Sequence, residues 1–443
     1  LADGYFSVNL GETTPLTSTV FADPDRWLQV SVNGEAMGRQ KIAAVPYAFQ
    51  AASVPWSGLT GVPDGFADGI DDVGGQYSHV VVVAKSGGHH TSIQAAIDSI
   101  TDAAAESRYL VWVAPGTYTE TVTMKPYVHL QGAGQGATIV ASDASAGTDP
   151  GATINLAGYT SLRDLTVLNV STTSRAAALS ASDEVTGTLI SNVLAHAHGS
   201  AAENYGVYSR AGTMGIDLTL LNVTIVAENG EDQNFGLVNY DGGKVTIEGG
   251  TITARGGSEE GPDAGTFGIL NSGNQTELIA KNVIVLCANA WGCLGLSNEN
   301  GATAILYGGG FTAQGGSHNI GIRNWNSGSF LGANNVGARA TGGTIKNHGF
   351  VNRGGGVSWY GGSIAGDGGS ESDDCGIVSI IETTGSMTVR QSVIRGTDQA
   401  IRQTESAVTV IQSHLEGGAV DGTVTCVLVT RGSSVSTDGS TCP

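Results

Sequence analysis

FGILN at 267–271 is one copy of a pattern to which the chain keeps returning. FGLVN stands at 235–239, and LGLSN (294–298), IGIRN (320–324) and HGFVN (348–352) follow. The leading glycine falls at 206, 236, 268, 295, 321, 349 and 376, at intervals of 30, 32, 27, 26, 28 and 27 residues. A period of that length marks a solenoid. Between the glycines run short β-rich segments such as LTLLNVTIVA, KVTIEGGTITA and LIAKNVIVLC, with turn residues between them. A unit of three short strands cannot bury its own apolar face, but stacked units form parallel sheets around a continuous core, each coil acting as the crossover. At ~4.8 Å per coil, roughly eleven coils make a rod roughly 50 Å long.

Three residues past each glycine lie Asn239, Asn271, Asn298, Asn324 and Asn352, with Ser209 and Ser379 in the same register. Stacked asparagines can donate amide to carbonyl from coil to coil, so the expected role is a structural ladder rather than a row of exposed amides that binds sugar. The glycine is expected to supply an unusual backbone angle at a bend.

Composition agrees with a folded rod. Gly contributes 67 of 443 residues without a Gly-X-Y period, 40% of the chain is apolar and only 14% is charged. The formal net charge of −20 argues against nucleic acid or an anionic membrane surface as partner, since either would repel it. No apolar run approaches the ~18–20 residues that span a bilayer.

Residues 1–52 read as a small β-module, incomplete at its N-terminus, and 53–76 as a Pro/Gly/Asp-rich linker. The chain opens at Leu1 in mid-pattern, as expected of a processed form or a fragment. A strand at HVVVVA is followed by a helix with Ile93, Ala96, Ile97 and Ile100 on one face, N-capped by Thr91 or Ser92. The solenoid is expected over 77–430, with a tail at 431–443.

Residues 80–140, from VVVVAKSGGHHTSIQAAIDSI through YLVWVAPGTYTETVTM to YVHLQGAGQGATIV, closely resemble the opening of pectinesterases and of the wider pectin-lyase-like superfamily. The resemblance implies an all-β fold, a right-handed parallel β-helix of about 10–12 coils, with the short helix capping its first coil. Residues 1–52, ending RQKIAAVPYAFQA, resemble a module found upstream of fibrous parts in bacterial surface proteins. The catalytic signatures of the superfamily do not carry over. The Gln-Asp-Thr, Asp-Phe-Ile-Phe-Gly and Gly-Arg-Pro-Trp motifs of pectinesterases are absent, as are the polygalacturonase signatures and the Arg-x-Pro-x-x-Arg pattern of pectate lyases. No catalytic residue is assigned on this ground, because a fold without its site does not license a function.

Other candidates are weighed residue by residue. Acidic loops precede several of the glycine motifs and gather Glu259, Glu260, Asp263, Glu371, Asp373 and Asp374 along one edge. A solvated rim is the first expectation there; Ca²⁺ held through carboxylate oxygens is the alternative and the one cofactor considered. Cys287 with Cys293, and Cys426 with Cys442, bracket short loops and are candidate disulfides, while five buried thiols remain an equal alternative. Trp291, Trp325, Trp359 and Tyr360 are expected to pack on neighbouring coils, with sugar stacking as the second choice.

These readings lead to an expected secreted or cell-surface rod without catalysis. It is expected to be structural or adhesive and to self-associate, with a filament formed by strand addition at the N-terminal module. Glycans are the other partner considered. The alternative is a polysaccharide-active enzyme with a diverged site, or a glycan-binding module.

Overall fold

The computed structural model describes residues 27–41 and 77–443, apart from 148, 183, 213–214, 259–264, 369–373, 381–385, 405–406, 433, 437–441 and 443. The chain divides into two units, Leu1–Gln76 and Tyr77–Pro443. In the first, Ser31–Val32 pairs antiparallel with Glu35–Ala36 and Trp27–Leu28 with Gln40–Lys41. Asn33 and Gly34, both at positive φ, make the turn, as Asn-Gly does in two-residue hairpins. The rest of the expected N-terminal module, the linker at 53–76 and the strand addition assigned to that module lie outside the described residues.

The second unit is a parallel β-solenoid of about 11 turns. One coil shows the plan. Gln233–Tyr240 lies in a first sheet (A), Lys244–Glu248 in a second (B) and Thr251–Arg255 in a third (C) before the chain returns to sheet A at Thr266–Ser272. Val245, Ile247, Ile252 and Ala254 are buried while their strand neighbours are not, the period of two expected of strands with one face in a core. On sheet A the core column is Leu237, Ile269, Leu296, Ile322 and Phe350. The helix Ile93–Ser99 (α1) turns Ile93, Ala96 and Ile97 into the same core. Ser92 is its cap, accepting from the Ala95 amide at 3.2 Å, and the Glu120 carboxylate accepts from the Ile93 and Gln94 amides at 2.8 and 2.9 Å. At the other end Val429–Arg431 pairs antiparallel with Ser434–Ser436, and Cys426 is bonded to Cys442.

The asparagines stack in strict register inside the coil, all fully buried. Asn239 Nδ2 donates to Asn271 Oδ1 at 2.8 Å, Asn271 to Asn298 at 2.8 Å, Asn298 to Asn324 at 2.8 Å and Asn324 to Asn352 at 3.0 Å. The second amide proton is used as well: Asn298 Nδ2 reaches the Ala302 and Phe330 carbonyls of the A-to-B corner, each at 3.0 Å. A second ladder, not expected from the sequence, lies two residues before each glycine. Asn204 donates to Asn234 at 3.2 Å, Asn319 to Asn347 at 3.0 Å and Asn347 to Asp374 at 3.1 Å. Asp374, assigned from the sequence to an exposed acidic edge, is therefore an interior ladder residue, 1% exposed.

Two further expectations are corrected. The motif glycines are not at positive φ; space, not backbone angle, requires them. A Cβ on Gly268 would lie 2.3 Å from Val285 Cγ1 and 2.5 Å from the Gly295 carbonyl oxygen, and one on Gly295 would meet the Gly321 oxygen at 2.4 Å. Cys287 and Cys293 are free, buried thiols. Cys293 occupies the inner column held elsewhere by Asn204 and Asn319, and Cys287 Sγ is turned onto the Thr266 carbonyl at 3.1 Å.

Positive φ is needed at the corners. Between sheets B and C it falls on Asp164, Asn192, Asn222, Gly249, Asn282, Gly308, Asn335, Gly361, Gln391 and Gln412, mostly residue types that tolerate it. Tyr127 (φ 64°) and Tyr159 (φ 58°), which enter sheet B in two successive coils, do not belong to those types. Left-handed backbone costs a bulky residue about 1–2 kcal/mol. The two rings stack at 5.3 Å with planes 8° apart. Such a pair contributes about 0.5–1.5 kcal/mol beyond burial, which does not offset two strained residues.

Replacing Asn298 by Leu would orphan the Ala302 and Phe330 carbonyls and the Asn324 acceptor in the core, at about 1–3 kcal/mol for each buried group. The expected result is a loss of about 3 kcal/mol or more, seen as a lower melting temperature, with hydrogen exchange accelerated first in the coils around 298. An unchanged melt would show that the ladder is dispensable.

Candidate active site

The motif glycine breaks the strand alternation, so the residue just before it turns away from the core. In three successive coils that residue is aromatic. Tyr205, Phe235 and Phe267 are in register and stack with centroids 5.0 and 5.2 Å apart and planes 7° and 4° from parallel. With Tyr208, Val238, Leu270 and Leu294 they form an apolar cluster separate from the core of the coil. This cluster floors a trough on the outer side of sheet A.

Three depressions that share residues make up the trough, with volumes of about 520, 460 and 280 Å³. Tyr208, Arg210 and Asp241 line both the first and the second; Gln233, Phe235 and Tyr240 line both the second and the third. At the first, Arg210 stands between two carboxylates: Nη1 donates to Asp149 Oδ1 at 3.0 Å and Nε to Asp241 Oδ2 at 3.2 Å. The Tyr208 hydroxyl donates to the same Asp149 oxygen at 3.1 Å. In the middle, Arg175 Nε pairs with Glu203 Oε2 at 2.8 Å, and Glu203 also accepts from the Tyr205 hydroxyl. At the far end buried Arg323 donates to Ser297 Oγ and to Glu299 Oε2, each at 2.9 Å. Its guanidinium lies 4.8 Å from the Trp325 ring centre, and that of Arg353 lies 4.5 Å from the same ring.

The titrating groups are biased by this packing. Burial, then the hydrogen bond to Glu203, pushes the Tyr205 phenol far above its ordinary value, and burial with the nearby Glu299 does the same for Tyr240. Tyr208 is raised by burial and by Asp149. The hydrogen bonds to Asp149 and Asp241 hold the Arg210 guanidinium more firmly protonated. The phenols are thus hydrogen-bond donors and proton holders, not bases, at neutral pH. The bases available are the carboxylates of Asp149 and Asp241, which face a fixed positive charge.

Among the described residues singled out from the sequence for binding, Trp325 lies in the trough and the others do not. Glu259, Glu260, Asp263, Glu371 and Asp373 lie outside the described residues. Among the described residues no group of three His, Cys, Asp or Glu side chains is placed to hold a metal ion. Trp359 is a core residue, 1% exposed, with its indole N–H on the Gly361 carbonyl at 2.8 Å. Trp291 stacks on His318 at 4.5 Å. No helix among the described residues is long and apolar enough to cross a membrane. The signal that sequence reading missed is the aromatic residue immediately ahead of the glycine in YG, FG and FG at 205, 235 and 267.

Comparison with solved structures places the architecture. The A-module of the Azotobacter vinelandii mannuronan C-5 epimerase AlgE6 is similar at 17% identity and TM-score 0.50, over 77% of this chain and 94% of that one. A Paenibacillus alginate lyase matches at 10% identity and TM-score 0.37, over 78% and 99%. A pectin methylesterase solved with a hexasaccharide matches at 14% identity and TM-score 0.30, over 58% and 79%. The fold is the right-handed parallel β-helix. No protein-family model and no curated protein matches the sequence. The expectation of a chain without catalytic function is corrected here: the solved structure that matches at TM-score 0.50, the AlgE6 A-module, is an epimerase.

The burial of Tyr205 and Tyr240 has a direct optical consequence. In an alkaline titration followed at the phenolate band, neither should ionise by pH 11 while the protein stays folded. Tyr205→Phe should therefore leave the amplitude at pH 11 unchanged. A loss of one tyrosine's worth of signal in that variant would contradict the packing.

Proposed function

We propose that this protein is a polysaccharide-active enzyme that binds an extended sugar chain along the outer side of sheet A. The observation that carries the reading is the trough itself, open and continuous over seven sheet A strands from Gly151–Asn155 to His318–Trp325. Six coil steps at ~4.8 Å give roughly 29 Å, the span of a sugar chain rather than of a small metabolite. Its floor is aromatic and its walls are polar, as a sugar ring with apolar C–H faces and hydroxyl edges requires. Arg175, Arg210, Arg323 and Arg353 offset the carboxylates of Asp149, Asp241, Glu203 and Glu299 on this face of a chain whose net charge is −20, so an acidic polysaccharide meets less repulsion in this groove than the net charge implies.

Within the trough, Asp149, Arg210, Asp241 and Tyr208 form the group with the means for chemistry. The carboxylates can accept a proton, Tyr208 can donate one, and Arg210 can neutralise negative charge that develops on a sugar carboxyl or ester. Secretion or display at the cell surface fits a polymeric substrate found outside cells and belongs to the same proposal.

The test is a panel of alginate, polygalacturonate, methyl-esterified pectin and a neutral β-glucan. Unsaturated uronate, methanol, reducing ends and inversion at sugar carbons are all monitored. The expected result is turnover of an acidic polymer. Asp149→Asn or Asp241→Asn should lower that turnover about a hundredfold or more without unfolding the solenoid. Absence of both turnover and binding across the panel would sink the reading.

A further inference from the structure

Tyr127 and Tyr159 form an aromatic column outside the trough, at the corner where two successive coils pass from sheet A to sheet B. The register of sheet B places Tyr127 beside Tyr159 and Tyr159 beside Gly187. Three features of the column point outward. Both tyrosines sit in left-handed backbone, which among the described residues is held mostly by Gly and Asn. Tyr159 is 53% exposed, so burial does not account for its size. The third rung has no side chain: Gly187 stands beside Tyr159, and a Cβ there would crowd the ring, coming within 3.3 Å of Tyr159 Cδ1. One face of Tyr159 is covered by Tyr127, and the other looks along the column over Gly187.

We propose that the open face of Tyr159 is an accessory sugar-stacking subsite that takes one pyranose ring above Gly187. The inference rests on the reading of the trough as a polysaccharide site. An aromatic face is negative and attracts the weakly positive C–H groups of a sugar face. A ring placed there continues the stack at the coil spacing. The exposed carboxylate of Asp217 is one rung further along the same column and can accept from sugar hydroxyls. The column adjoins the trough in sequence. Asn155 lines the cavity that holds Arg210, and Tyr159 follows it around the corner.

Affinity electrophoresis in gels containing alginate, polygalacturonate or a neutral β-glucan tests this, with melting temperature measured on the same samples. Tyr159→Asn removes the ring and gives the corner a residue that left-handed backbone accepts. The expected result is a higher melting temperature together with retention weakened about three- to tenfold. Tyr159→Phe should keep full retention, and turnover of short oligosaccharides held in the trough should not change in either variant. Unchanged retention in Tyr159→Asn, with wild-type binding intact, would overturn the subsite and leave the trough reading standing. A lower melting temperature in Tyr159→Asn would show that the ring is structural and would overturn it too. If the wild type is retained by none of the polymers, the subsite and the trough reading fall together.

Discussion

The structure depends on one constraint: every coil must sit on the next without a register slip. A one-residue slip in a strand exchanges its inward and outward side chains, which in a solenoid would put the core in water. Here the constraint is met by buried amides. An asparagine whose two N–H groups are used by the next coil and by a corner carbonyl has no alternative position of comparable energy, because a slip would leave several buried polar groups unpaired. The glycine between the two inner ladders lets the backbones approach where any Cβ would collide with the carbonyl of the next coil. Polar ladders and glycine together fix the rise and phase of the coils.

The outer surface inherits that order. Because the inner columns are locked, the residue just ahead of each glycine repeats at the same height and angle, and three aromatic rings stack within 7° of parallel. The same repetition brings Arg175 with Glu203 at the start of the sheet A strands, and Arg210 with Asp149 and Asp241 and Arg323 with Glu299 towards their ends. A rigid linear array of this kind is suited to an extended polymer, since little ordering is left to be done when the ligand binds.

Much of the fold was legible because the inward pattern is periodic. The 26–32-residue spacing of the glycines and the asparagine three residues later announce coils and their ladder directly. The second ladder was harder to see, because its column changes identity from Asn204 and Asn234 through Thr266 and Cys293 to Asn319, Asn347 and Asp374. Mixed polar types satisfy the same geometry, so no single letter marks them. The trough was nearly invisible for a different reason. Asn234, Leu237 and Asn239 face inward while Phe235 and Val238 form part of the outer cluster, so the strand departs at the glycine from the simple alternation that sequence reading assumes. Asp149 and Arg210 are 61 residues apart and meet only because coils stack.

The account claims that a polysaccharide chain lies on sheet A, and hydroxyl-radical footprinting with and without alginate or pectin tests that claim most directly. Oxidation at Tyr240 and Trp325 should fall together when the polymer is added, while Tyr307 and Tyr360, exposed on sheet B, stay as reactive as before. Protection confined to Tyr307 and Tyr360, or no protection anywhere under conditions where polymer is turned over, would contradict it.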